Sequence, residues 1–376
     1  MNYQDNIFIP VEIPDKRRIL QNSMKVLGAD STLSNKDVFS KMAPIRSAIT
    51  RMADARNQPP IEQLFSMVWQ SNELHLLFAD TGVGKSILAV ALSVALCKGV
   101  SLLDLVNETV KQIALYYDFE LSDRQFRKRY SDEDGNEDPL HPNFYIDTLD
   151  FAVISDIAGG FNDKFNDVLF EKIRFDIENT KATVVVLDNL TYLNTQSTQD
   201  TKIALEVMRR LNELKKEYNL SILVLAHTPK RSDQSPLTLN DLAGSKHLSN
   251  FADSISAIGK STQGTNIRYL KQIKPSRSGE MILDADNVLV CEIEKLNTFL
   301  TFKALGYGKE SEHINQSSFD PKIPEKVYAV TDLLKDGFSY SEIADQLDIS
   351  KGTITKWKAK YSEAFENAAN IGGVSD

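Results

Sequence analysis

Between Glu73 and Gly308 the chain alternates short apolar, β-rich runs with longer stretches that carry apolar residues at helical spacing. The short runs are Leu74–Ala79, Ile113–Phe119, Thr183–Leu190 and Ser221–Thr228. Between them the spacing predicts helices over Lys85–Cys97, Phe165–Glu178 and Thr201–Glu217. Strands that alternate with helices of this length predict an α/β fold, a mostly parallel sheet covered on both faces. A later β-rich block, Ser254–Ser261, Ile267–Lys274, Asn287–Lys295 and Phe299–Leu305, reads as a continuation of that sheet plus hairpins. Upstream, Val38–Ala55 has apolar residues at roughly helical spacing and predicts a helix.

Beyond the sheet the pattern changes. Residues 309–323 are polar, with Gln316-Ser317-Ser318 and Pro321, and read as a linker. A compact all-α pattern follows: Val327–Lys335 closed by Gly337, then Tyr340–Leu347, a turn at Asp348-Ile349-Ser350, and a last helix through Gly352–Lys360. The expected division is therefore 1–60, a mixed polar region; 61–308, the sheet domain; 309–323, the linker; 324–361, the small helical domain; and 362–376, a tail. Ser131–Asp138 is acidic, rich in turn formers, and reads as a solvated loop.

A length of 376 residues agrees with two domains at roughly 150 residues each. No run of about 18 apolar residues occurs, so no membrane span is expected. Met1–Asp15 carries Asp5, Glu12 and Asp15 and does not read as a signal peptide. Cys97 and Cys291 sit in apolar segments and read as buried free thiols. Together these features predict a cytoplasmic protein. The net charge of −9 argues against coating nucleic acid with the whole surface, and leaves local basic segments open.

The chemistry begins at Ala79-Asp80-Thr81-Gly82-Val83-Gly84-Lys85-Ser86, between a predicted strand and a predicted helix. This is the P-loop pattern with Ala79 in place of its first glycine. Gly82 and Gly84 let backbone N–H groups turn inward onto phosphate oxygens, and the helix N-terminus adds its positive end. Lys85 is placed to reach the β and γ phosphates of ATP, and Ser86 offers a hydroxyl to Mg²⁺. A second acid is expected at the end of a strand, where ligands collect in open α/β sheets. Val184-Val185-Val186-Leu187-Asp188 supplies it in Asp188. Glu120 follows the strand after the P-loop helix and is the candidate general base, with Asp118 next in line.

Ala79–Ser86, Tyr117-Asp118-Phe119-Glu120-Leu121-Ser122, Leu187-Asp188-Asn189 and Leu225-Ala226-His227-Thr228, in this order, resemble the RecA-like ATPases. Within these the chain looks most like the hexameric replicative helicases of the DnaB and plasmid RepA type, over about Leu64 to Leu305. The resemblance implies a RecA-like P-loop core and assigns roles. Glu120 is similar to the catalytic base, and His227 to a sensor that couples the γ-phosphate to DNA-contacting loops; a buried or capping histidine is the plainer reading. Arg277, in Ile273-Lys274-Pro275-Ser276-Arg277-Ser278-Gly279, is similar to the arginine finger that acts on a neighbour's site, with Lys274 its accompanying lysine. Lys and Arg are three apart here, whereas the family places them two apart. A finger acting in trans implies a homo-oligomer, and the family favours a hexameric ring. The loops at Tyr192–Gln199 and at Lys230, Arg231 and Lys246 would line a channel for single-stranded DNA, or be merely solvated.

Ser341–Trp357 resembles the helix-turn-helix of resolvase and transposase DNA-binding domains. Lys351, Thr353, Thr355, Lys356 and Lys358 are its candidate contacts with duplex DNA, Lys360 adds charge, and Ile354 and Trp357 are expected in its core. A small protein-binding helical module is the other reading. The expected function is thus a DNA-dependent ATPase, a helicase-like replication or mobilisation factor of a plasmid, phage or integrative element, using ATP and Mg²⁺. The rival from another class is a DNA-binding regulator that uses ATP as an assembly switch and does not unwind.

Overall fold

The computed structural model describes residues 45–58, 60–160, 163–189, 201–228, 235–242, 245–277, 279–314, 323–335, 338–362 and 365. The chain divides into two compact units, Met1–Pro60 and Ile61–Asp376. In the first, helix α1 (Ala48–Arg56) starts at Ser47, whose side chain accepts a hydrogen bond from the Thr50 amide. Residues 45–47 are not helical, so the helix starts later than its predicted Val38. A capping serine with extended backbone marks that start, and residues 38–44 lie outside the described ones.

The second unit is built on a nine-stranded sheet ordered β11-β10-β9-β8-β3-β7-β6-β4-β5. Strands β3 (Leu74–Ala79), β4 (Ala114–Asp118), β6 (Val184–Asp188) and β7 (Ser221–His227) fall within a residue or two of their predicted bounds. With β5 (Phe144–Asp147) and β8 (Ser254–Lys260) they run parallel. Strands β9 (Ile267–Lys274), β10 (Val288–Leu296) and β11 (Phe299–Gly308) extend the sheet antiparallel, as predicted. A separate hairpin pairs β1 (Gln63–Phe65) with β2 (Trp69–Gln70), and neither was expected.

The continuous apolar runs of the parallel strands reflect burial on both faces. On β3, Leu74, Leu76 and Phe78 face one core, while Leu77 and Ala79 face the other. Helices α5 (Asp163–Thr180) and α6 (Thr201–Tyr218) cover the first core through residues such as Leu169, Ile173, Val207 and Leu211. Helix α2 (Lys85–Lys98) covers the second through Leu88, Leu92 and Leu96, and both cysteines are buried as free thiols. Two further helices, α3 (Asp123–Arg129) and α4 (Phe151–Ala158), were not expected.

Because the strands are parallel, their carboxyl ends meet at one edge. The register sets Ala79 beside His227 and Asp118 beside Asp188. Helix α7 (Ser245–Phe251) leads into β8. Three helices close the chain: α8 (Glu325–Lys335), α9 (Tyr340–Leu347) and α10 (Lys351–Lys360). They share a core of Val327, Val330, Leu333, Ile343, Ala344 and Ile354, with Trp357 partly buried against it. The chain turns from α9 to α10 through Asp348 in the left-handed region, and Ser350 caps α10 by accepting from the Thr353 amide. Among the described residues no helix is long and apolar enough to cross a membrane.

Candidate active site

The loop between β3 and α2 has the backbone that its glycines permit. Gly82 and Gly84 have φ of +72° and +114°, a region strained for any residue with a Cβ. At Gly84 a Cβ would also lie 2.9 Å from Phe302 Cζ. Ala79, which stands where the P-loop pattern has glycine, is not part of the turn at all. It ends β3, fully buried, and its carbonyl accepts from Lys85 Nζ at 2.9 Å and from the Thr228 amide. An alanine fits there because the backbone is still strand.

Lys85 is buried, with its pKa lowered by that burial against the pull of Asp188, Glu120 and Asp80. Its ammonium also donates to the Asp80 carbonyl at 3.1 Å and to His227 Nδ1 at 3.1 Å. Lysine has only donors to give, so Nδ1 accepts and the neutral ring carries its proton on Nε2. That nitrogen faces Glu120 Oε1 at 3.1 Å. The Asn189 amide nitrogen lies 2.7 Å from the same Nε2 and donates to Glu120. Lys85, His227, Asn189 and Glu120 therefore form one connected network at the sheet edge. The His227 hydrogen bond chiefly holds the Glu120 carboxyl below its ordinary pKa, so it stays ionised.

Asp118 differs from its neighbour. It is buried, its pKa is raised by desolvation, and Oδ1 accepts from the Glu120 and Leu121 amides at 2.9 Å each. It shapes the turn that presents Glu120. A cleft of about 450 Å³ is lined by Thr81, Gly82, Gly84, Lys85, Ser86, Glu120, Arg129 and His227. Glu120 is in that lining and Asp118 is not, which favours Glu120 as base.

Asp188 is 1 % exposed. Burial pushes its pKa up to about 6, against the lowering influence of nearby Ser86 and Tyr116. The Tyr116 hydroxyl donates to Oδ2 at 2.6 Å, whereas Oδ1 is buried with no hydrogen-bond partner. An orphaned carboxylate oxygen beside a serine hydroxyl is an oxygen donor set that fits a hard divalent cation such as Mg²⁺. Asn189, Tyr116 and Arg129 were not singled out in the sequence. Arg129 is legible only once α3 is recognised, because that helix carries it back to the cleft.

The other predicted residues lie elsewhere. Strand β9 is antiparallel, so Lys274 pairs with Ile255 where β8 begins, at the edge opposite the P-loop. Its ammonium donates to the carbonyls of Ser249 and Ala252 at the end of α7, at 2.9 and 2.6 Å. Arg277 is 66 % exposed, and its Nε donates to Asp253 Oδ1 at 2.6 Å. Asp253 also accepts from Lys215 and from the Leu74 amide, at the start of β3. Tyr192–Gln199, Lys230 and Arg231 lie outside the described residues, as does the side chain of Lys246, which sits in α7. On α10, Lys351, Thr355, Lys356 and Lys358 are exposed, and Thr353 is half-buried with its hydroxyl 2.9 Å from that of Ser350.

A largely parallel sheet whose P-loop, Lys85 and Glu120 line one cleft, with Asp188 buried at the end of the neighbouring strand, defines a P-loop ATPase core of the RecA-like kind. The chain belongs to the AAA domain family, which matches residues 43–233. A second family, the Homeodomain-like domain, matches residues 320–367 and agrees with the three-helix tail. No curated protein matches the sequence. Among solved structures, the chain is similar to a KaiC-like protein from the hyperthermophilic archaeon Pyrococcus horikoshii OT3. That likeness has 15 % identity and a TM-score of 0.43 over 65 % of this chain and 99 % of the other. The protein is thus an AAA-type, ATP-binding P-loop ATPase with a C-terminal helix-turn-helix-like domain.

Proposed function

We propose that the protein is a DNA-dependent ATPase of the DnaB and plasmid RepA helicase type, a replication or mobilisation factor of a plasmid, phage or integrative element, which hydrolyses ATP between subunits. The observation that carries this reading is the position of Arg277. It lies at the edge where β3 begins, whereas the P-loop leaves where β3 ends, and the six residues of β3 separate the two by roughly 16 Å. An arginine side chain cannot cross that distance, so Arg277 serves a phosphate only in a neighbouring copy. Leaving Asp253 does not strand a buried charge, because Asp253 keeps Lys215 and the Leu74 amide. A head-to-tail contact of this kind closes into a ring or runs on as a filament, and a hexameric ring is the form proposed.

In this reading Lys85 leaves His227 and the Asp80 carbonyl to meet the β and γ phosphates. Glu120, ionised and held by His227 and Asn189, takes the proton of the attacking water. Freed from Lys85, His227 reports the γ-phosphate to the segment that follows β7 in the chain, where Lys230 and Arg231 would track single-stranded DNA. Ser86 and Asp188 Oδ1 would hold Mg²⁺, which offsets charge on the phosphates when bound. Arg277 stabilises the charge that grows on the transferred phosphoryl group, and Lys274 positions the segment ahead of it by its bonds to α7. Residues 61–308 act as the motor together with 309–314, where Glu310 pairs with Lys271 and Ile314 is buried in the core of the sheet domain, so the linker expected over 309–323 is shortened to 315–323. Residues 324–361 act as the duplex-binding domain, with Lys351, Thr355, Lys356 and Lys358 toward DNA.

The exposed lysines of α10 also favour the second reading, an ATP-switched DNA-binding regulator. Strand displacement on a forked DNA separates the two. Unwinding that requires ATP and is lost in Lys85→Ala supports the helicase reading. Site-specific duplex binding with ATP turnover and no displacement overturns it.

A further inference from the structure

Arg268 sits at the start of β9 and is 8 % exposed, and among the described residues no carboxylate pairs with it; the titratable group that acts on it there is the Cys291 thiol. A buried guanidinium without a carboxylate is costly to keep. What it does instead is hold backbone. Nη1 donates to the carbonyls of Thr265 and Ile267, and Nε donates to the carbonyl of Val83, each at 2.8 Å. Val83 lies inside the phosphate loop, 185 positions before Arg268 in the chain.

The consequence follows from peptide geometry. The Val83–Gly84 bond is trans, and in a planar trans peptide the C=O and the N–H point to opposite sides. Drawing the Val83 carbonyl onto Arg268 therefore turns the Gly84 N–H away from Arg268. Gly84 lines the cleft that also holds Lys85, Ser86 and Glu120. Phe302 and Ile293 close in on the Cα of the same glycine, with atoms 2.9 and 3.0 Å from where a Cβ would be. The peptide is thus held by a hydrogen bond at its carbonyl and by packing at its glycine.

We infer that Arg268 is a positioning residue for phosphate binding, which holds the Val83 carbonyl so that the Gly84 N–H faces the phosphate chain of the nucleotide. The role rests on nucleotide binding by the loop 79–86. With this tie the Val83–Gly84 peptide needs no rearrangement to accept phosphate, and the positive charge of Arg268 adds to the attraction. Without the tie, the Val83–Gly84 peptide is free to rotate, and the nucleotide must order it on binding.

The test uses the full chain, with ADP in the absence of metal as the probe, in Arg268→Gln and Arg268→Lys. Losing a charge-assisted hydrogen bond corresponds to a factor of about ten or more. Arg268→Gln should therefore bind ADP about tenfold more weakly, and Arg268→Lys, which retains a charged donor, within about threefold of wild type. In ligand-free Arg268→Gln, hydrogen exchange should accelerate over residues 80–86 while β3 and β7 stay as protected as in wild type. A purely structural role would spread the exchange over the sheet. Wild-type ADP affinity in Arg268→Gln, or acceleration extending through β3 and β7, overturns the inference. If Arg268→Gln does not fold, Arg268→Met, which keeps the length of the side chain and donates no hydrogen bond, decides in its place: faster exchange confined to 80–86 supports the tie, and exchange unchanged there contradicts it. A wild-type chain that binds no ADP overturns the nucleotide reading itself, and is distinguished because it precedes any variant.

Discussion

Asp188→Asn should make the protein more stable and inactive at the same time. Asp188 is 1 % exposed, and its pKa rises from an ordinary 3.8 to about 6, through burial first and the like charges of Glu120 and Asp118 after it. With the folded pKa above the unfolded one, the ionised carboxylate penalises the fold. That penalty is full above about pH 6, shrinks as the pH falls, and is gone below 3.8. The shift corresponds to about 3 kcal/mol near pH 7.5 and about half of that near pH 5. Asparagine keeps an oxygen for the Tyr116 hydroxyl and removes the charge. For a domain of this size the gain should raise Tm by roughly 5 °C near neutral pH. Scanning calorimetry on metal- and nucleotide-free protein at the two pH values measures it, beside the Mg²⁺-dependent ATPase rate. The expected result is a Tm gain that is larger at the higher pH, with turnover at background. Destabilisation at both pH values, or an equal gain at both, would refute the buried-charge argument. Retained turnover would remove Asp188 from the metal site.

Glu120→Gln should bind ATP normally and lose hydrolysis by at least about a hundredfold, since an amide accepts no proton; single-turnover assays at wild-type rate would move the base elsewhere. Tyr116→Phe removes the hydroxyl that fixes Asp188 and nothing else in shape. It should raise the Mg²⁺ concentration for half-maximal turnover by about tenfold while the rate at saturating Mg²⁺ stays near wild type, as for other groups that orient a metal ligand; an unchanged Mg²⁺ requirement counts against that orientation. Truncation after Ile314, which keeps the buried Glu310–Lys271 pair and Ile314 in the core of the sheet domain, should spare basal ATPase activity and weaken duplex DNA binding, with a smaller dependence on salt because the lysines of α10 are gone. Unchanged duplex affinity at matched salt would remove DNA from the role of the tail.

The parallel strands were legible because burial on both faces makes each an unbroken apolar run closed by a polar residue, as at Val184–Asp188. The P-loop was legible because its glycines and lysine answer to a ligand rather than to packing. Strand β5 was not, because four residues at the sheet edge with Tyr145 and Ile146 exposed carry no clear alternation. Helix α3 buries no residue and α4 is apolar almost throughout, so neither shows a helical stripe. The roles of Tyr116, Asn189 and Arg268 depend on partners 72, 69 and 185 positions away, and no local pattern carries that pairing. The P-loop alanine is explained by a strand that runs one residue further than the motif alone suggests. Lys274 had an ambiguous spacing to Arg277, and its bonds to α7 give it a local reason to be where it is.

The central claim, that ATP is hydrolysed between copies with Arg277 of one copy serving Lys85 of the next, is tested most directly by mixing two inactive variants. Arg277→Ala and Lys85→Ala damage opposite faces of one interface, and each alone should be nearly inactive, since an arginine finger contributes roughly 10³-fold or more. Mixed before assembly with ATP and DNA, they form some interfaces that join an intact Lys85 to an intact Arg277. The account predicts recovery of a minority of the wild-type ATPase rate in the mixture. A fully active monomer in which Arg277→Ala is harmless would contradict it.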